Sequence, residues 1–143
     1  MIEISEVQKR VRQAIGRARE TATARRGRVD AAGRDYERFL LEIATPLCQM
    51  LATVLKAEGY SFQVHTPAGA LRLASEKSGN DFIELLLDTM DEPAVVVGRV
   101  SRGWGRKVVT HERPLREGAR IEHLTEEDVL GFLLSEIEPF VQR

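Results

Sequence analysis

Apolar residues recur with a helical period up to Ala57 and with a period of two after Glu58 and Gly59, and this one switch decides what the chain can fold into. Before it, Ile4, Val7, Val11, Ala14 and Ala18 follow at steps of three and four, a narrow helical stripe with coiled-coil-like spacing. A second series, Tyr36, Leu40, Ile43, Leu47, Met50 and Val54, is widened by Phe39, Leu51 and Leu55 into a face broad enough to cover a core. Between the stripes, Gly27, Asp30 and Gly33 weaken helix propensity, by up to about 1 kcal/mol per glycine, so the segment from Arg25 to Gly33 is expected to turn the chain into a helical hairpin. The rival is one long helix, in which Ala22, Val29 and Ala32 bridge the stripes through stutters and Arg25 is accepted in the seam. Pro46 lacks an amide hydrogen and clashes with the preceding turn, which predicts a kink near Thr45 or a restart capped by it.

The period-two half reads as five short strands: Tyr60 to Thr66, Ala70 to Ser75, Asp81 to Asp88, Ala94 to Ser101 and Lys107 to Arg113. Turn residues separate them, and connections this short favour antiparallel neighbours, because a parallel crossover needs a dozen residues or more. Thr125 with Asp128 resembles a capping box and Leu124 with Val129 a hydrophobic staple, so a last helix starts there, with Leu130, Leu133, Leu134, Ile137 and Val141 as its expected buried stripe and Pro139 as its end. The expectation is one α+β domain over all 143 residues: a helical region at 1–58, a five-stranded antiparallel meander at 60–113, and a C-terminal helix at 125–141 packed on the sheet. The element order is loosely similar to small adaptor and chaperone-like α+β domains, an analogy that carries no function by itself.

Composition excludes several classes. The single Cys48 permits neither an intramolecular disulfide nor a cysteine-based zinc site, and in its apolar helix it reads as a small hydrophobe. No signal-peptide core stands near the start and no run approaches the eighteen or so apolar residues of a spanning helix, so a cytoplasmic protein without membrane contact is expected. Net charge is −1 but unevenly spread: residues 1–35 hold nine Lys or Arg against five acids, residues 99–120 seven against two, and residues 121–143 one against six. The strongest basic cluster is Arg102, Arg106 and Lys107 around Trp104, cations beside a stacking surface of the kind that single-strand binders use. Its plainer reading is a solvated turn in which Gly103 and Gly105 supply positive φ and Trp104 folds back over the sheet edge.

Chemistry-bearing patterns are absent. Gly103 and Gly105 lack the third glycine and the strand-to-helix setting of a dinucleotide fingerprint, no phosphate loop occurs, and no nucleophile elbow occurs. His65, His111 and His123 have no ligand spacing that requires a metal, and Glu84, Asp88, Asp91 and Glu92 read as solvent-face charge that discourages sheet aggregation. The leading expectation is a non-enzymatic protein-binding module, adaptor- or chaperone-like, cofactor-free and homodimeric through the N-terminal helical region, where Ala14 and Ala18 bury too little area without a partner, either the second helix of the same chain or the equivalent helix of a second subunit. The alternative is nucleic-acid binding by Arg102, Trp104, Arg106 and Lys107 with Arg10, Arg12, Arg17, Arg25 and Arg26; a third reading is a small-molecule or metal site at His65, His111 and Glu84.

Overall fold

The computed structural model describes residues 1–142. Helix α1 (Ile4–Phe39), a π-helical turn (Leu40–Ala44) and helix α2 (Thr45–Ala57) follow one another without a break, a rod of 54 residues and about 80 Å. The expected hairpin between Arg25 and Gly33 therefore does not form, and the long-helix alternative holds. Gly27 and Gly33 together cost only about 2 kcal/mol, and the helix around them recovers contacts: Val29, Ala31 and Ala32 are half-buried where α1 meets the turn Ile121–His123.

Nor does the rod restart at Pro46. Thr45 makes no side-chain cap; its amide donates to the Leu40 carbonyl five residues back, closing the π turn. Pro46 then falls in the first turn of α2, where a missing donor is tolerated. The residues that reach the core are Tyr36, Phe39, Ala44, Cys48 and Leu51, whose steps are 3, 5, 4 and 3. The step of five is the extra residue taken up by the π turn, and it rotates α2 relative to the simple periodicity. As a result Met50 and Val54, expected in the core stripe, are 60% and 58% exposed.

Strands β1 (Phe62–His65), β2 (Leu71–Ser75), β3 (Phe82–Asp88), β4 (Val95–Trp104) and β5 (Lys107–Pro114) form one antiparallel sheet in the order β1-β2-β3-β4-β5. The registers Val64↔Leu73↔Ile83↔Val100 and Leu71↔Leu85↔Gly98 place the apolar alternates on the face covered by the helices. Helix α3 (Glu126–Val141) starts as expected, the Thr125 hydroxyl accepting from the Asp128 amide at 3.2 Å and the Asp128 carboxylate accepting from the Thr125 amide at 2.9 Å. Its buried face is Val129, Phe132, Leu133, Ile137 and Phe140; Leu134 is exposed and Pro139 lies inside the helix, so two details of the sequence reading are corrected. The Phe132 ring occupies the space over Gly98, and the Tyr36 hydroxyl donates to the Leu85 carbonyl at 3.1 Å, tying the end of α1 to the central strand.

Candidate interaction surfaces

The first 25 residues of α1, Ile4 to Arg28, contain no buried residue, so this part of the rod stands clear of the body as an arm of about 37 Å. Ile4, Val7, Val11 and Ile15 are 45–78% exposed along it. Eight cations stand against Glu6 and Glu20 on the arm, a net +6, and only the Arg10–Glu6 pair at 3.2 Å offsets this within the arm. At the arm's root, Arg28 pairs with Glu92 in the β3–β4 turn at 3.1 Å. Apolar exposure recurs on the outer side of the rod where it packs on the body, at Leu41, Met50 and Val54. By length and composition alone the same helix is long and apolar enough to cross a membrane, a test that the core helix of a soluble protein also passes. An uninterrupted run of about eighteen apolar residues is still not present there, because Glu42, Pro46 and Lys56 interrupt it.

The second surface is the β4–β5 hairpin. Trp104 pairs with Lys107, and Gly105 and Arg106 form the two-residue tip. Positive φ is found at Gly105 (61°) and not at Gly103, the arrangement of a type II′ turn. Trp104 does not fold back: it is 64% exposed, with the Arg102 guanidinium 5.8 Å from its ring. Arg102, Trp104 and Lys107 share one face of the hairpin, as the alternation of the strands requires, and Arg106 sits at the tip. The N-terminal arginines are elsewhere. The arm roots at the β3–β4 turn, and the ten residues of β4 put the tip about 33 Å away. The structure thus does not bring together the two basic features that the nucleic-acid reading combines.

Glu84, expected to be solvent-face charge, is instead buried on central strand β3. It faces away from the helices, bonded to Arg72 at 2.7 Å and 3.7 Å from Arg99, which in turn holds Glu112 at 2.6 Å. Registers align Arg72, Glu84, Arg99 and Glu112 as one row of alternating sign across four strands. His65 ends that row on β1, whereas His111 lies on the opposite face, 3.1 Å from Glu136, which Arg113 also binds at 2.8 Å. His65, His111 and Glu84 therefore form no common site, and among the described residues no three His, Cys, Asp or Glu side chains gather as a metal site. Glu136 was missed in the sequence although it occupies a core-facing position of α3, between Leu133 and Ile137.

Concavities lie on the body of the protein. One of about 210 Å³ lies beside Phe62, Ser75 and Phe140, and one of about 330 Å³ is bordered by Tyr36, Glu37 and Leu86. The first is also lined by Ser61, Lys77 and Asp81. Burial pushes the Cys48 thiol up to about 12 and, with Glu84, raises the Tyr36 hydroxyl, so neither group is activated near neutral pH. No family description, curated protein or solved structure matches this chain.

Proposed function

We propose that the protein is a non-enzymatic interaction module, adaptor- or chaperone-like, that homodimerises through its N-terminal helix in the cytoplasm without a cofactor. The observation that supports this is the arm: a helix of this length gains most of its stability from a packed apolar face, and here Ile4, Val7, Val11 and Ile15 face solvent. A partner supplies the missing cover, and a second copy is the simplest one that carries the same surface. Light scattering after size exclusion tests it. A species of twice 16.1 kDa is expected at micromolar concentration, and removal of the residues before Asp30 reduces it to a monomer with the sheet still folded. A single 16.1 kDa species for the intact chain at all concentrations overturns the reading.

The exposed Trp104 with Arg102 against its ring favours a second reading, single-stranded nucleic acid bound at the hairpin by Arg102, Trp104, Arg106 and Lys107. Its mark is a change in Trp104 emission on adding an oligonucleotide at low salt, weakening with salt at a log–log slope of about −0.7 per phosphate contacted. Constant emission and anisotropy count against it.

A further inference from the structure

Two apolar stripes on the rod are uncovered, the second only in part because Ile43 and Leu47 also touch the core, and their spacings match. Val7, Val11, Ala14 and Ala18 on the arm follow at steps of 4, 3 and 4; so do Ile43, Leu47, Met50 and Val54 beside the body. Read backwards the second series is again 4, 3 and 4, so Val7 and Val54, Val11 and Met50, Ala14 and Leu47, and Ala18 and Ile43 lie the same number of residues on either side of the midpoint between Asp30 and Ala31. An antiparallel pair of identical rods related by a two-fold axis there brings all four couples level to within about 1.5 Å, the rise of the one residue that the π turn takes up, and does so twice.

We infer that the arm of one copy lies along α2 of a second copy, antiparallel, with Val7 opposite Val54, Val11 opposite Met50, Ala14 opposite Leu47 and Ala18 opposite Ile43. This rests on the homodimer reading above and names the surface it uses. The π turn makes that surface available: by sending Ala44, Cys48 and Leu51 to the core it leaves Met50 and Val54 outward, while Ile43 and Leu47 are only half-buried. Sizes are complementary, the small Ala14 and Ala18 meeting the large Leu47 and Ile43, so the helices approach closely. Charge decides between this and a pairing of two arms. Arm against arm sets +6 beside +6, with Arg17 flanking the seam and Arg10 matched only by Glu6 of its own helix. Residues 40–58 carry Glu42 and Glu58 against Lys56, a net −1, so the arm meets the opposite sign there. From Tyr36 to Phe39 the rod packs on its own core, and the dimer therefore has two separate, symmetry-related contacts.

Two double variants at exposed positions test this with the intact chain: Val7→Glu/Val11→Glu on the arm and Met50→Glu/Val54→Glu on α2. Light scattering is expected to give a dimer for the unmodified protein, monomers for each variant alone, and a heterodimer when the variants are mixed in equal amounts, because the mixture keeps one intact arm facing one intact α2. Circular dichroism equal to the unmodified protein shows that the variants fold. An α2 variant that stays dimeric overturns the inference and leaves the homodimer standing; two monomeric variants whose mixture stays monomeric at 100 µM also overturn the inference. An unmodified protein that is monomeric, with or without sedimentation on phosphatidylcholine vesicles, overturns the homodimer itself. Independently, Val11→Cys/Met50→Cys in a Cys48→Ala background is expected to cross-link between copies on oxidation more than tenfold faster than Val11→Cys alone, and equal rates reject the register.

Discussion

Gly98 and Phe132 show how a single position of the sheet sets the helix layer above it. A Cβ built on Gly98 would stand 2.0 Å from the Phe132 ring, so any larger residue at this position must displace that ring. Gly98→Ala is expected to cost about 1–3 kcal/mol by overpacking, and Gly98→Ala/Phe132→Leu to recover part of it, in denaturant melts. At the other end of the same packing, Leu133→Ala should cost about 2–5 kcal/mol through lost burial and a cavity, against about 0.5–2 kcal/mol for Thr125→Ala, which removes only the helix cap. A neutral Leu133→Ala would show that α3 does not pack through this face. Cys48 adds a test by pH. Its thiol is held protonated to about 12 in the folded state but ionises near 8.5 when unfolded, so the unfolded chain binds fewer protons between those values and stability falls as pH rises from about 9 to 12. The slope from this group is at most about 1.4 kcal/mol per pH unit, Tyr36 acts in the same direction, and Cys48→Ala should flatten the fall measured by urea melts across that window.

Whole elements were legible where one force dominates and illegible where two compete. The five strands and the capped start of α3 follow from alternation, turn residues and the Thr125–Asp128 exchange, all local signals that the tertiary fold does not oppose. The fate of the segment around Gly27 and Gly33 was not local: two weak residues lose to a rod whose far end is anchored by Tyr36 and Phe39. The π turn left no compositional mark, and without it the count from Tyr36 places Met50 and Val54 inward, one residue out of phase with Cys48 and Leu51. Among the candidate sites, the exposure of Trp104 was readable as an option, whereas the Arg72–Glu84–Arg99–Glu112 row needed the strand registers. The π turn makes its own prediction. Deleting Leu41, an exposed residue within it, converts a five-residue step into four and leaves the core residues in place, so stability should change by less than about 1 kcal/mol. Deleting exposed Gln49 instead turns the rest of α2 by about 100° and puts Ala52 where Leu51 was, a loss of about 2–5 kcal/mol. Equal losses in thermal melts would mean that the π turn is fixed by something other than phase.

At the scale of the molecule, charge and burial divide the protein at the same point. Residues before Asp30 carry eight cations and three acids and bury no side chain fully, so removing them takes the net charge from −1 to −6 and gives up only peripheral contacts, those of half-buried Val29 and the exposed Arg28–Glu92 pair. The remaining body keeps the end of α1, α2, the whole sheet and α3, with Tyr36, Phe39, Cys48 and Leu51 still inside. Its unfolding free energy in dilute solution should therefore lie within about 0.5 kcal/mol of the intact monomer, as for surface changes generally. What should change is the dependence on concentration. If the arm joins two copies, the melting temperature of the intact protein rises with protein concentration by mass action, while that of the truncated body stays constant. Salt separates the electrostatic share of this from the apolar one: raising ionic strength to 1 M shrinks the screening length to about 3 Å, which weakens the attraction between a basic arm and an acidic body but leaves burial of Val7, Val11, Met50 and Val54 intact. The expected result is a dimer that loosens but persists at 1 M salt; complete dissociation would assign the association to charge alone, and a truncated body that still melts at a concentration-dependent temperature would move the interface off the arm.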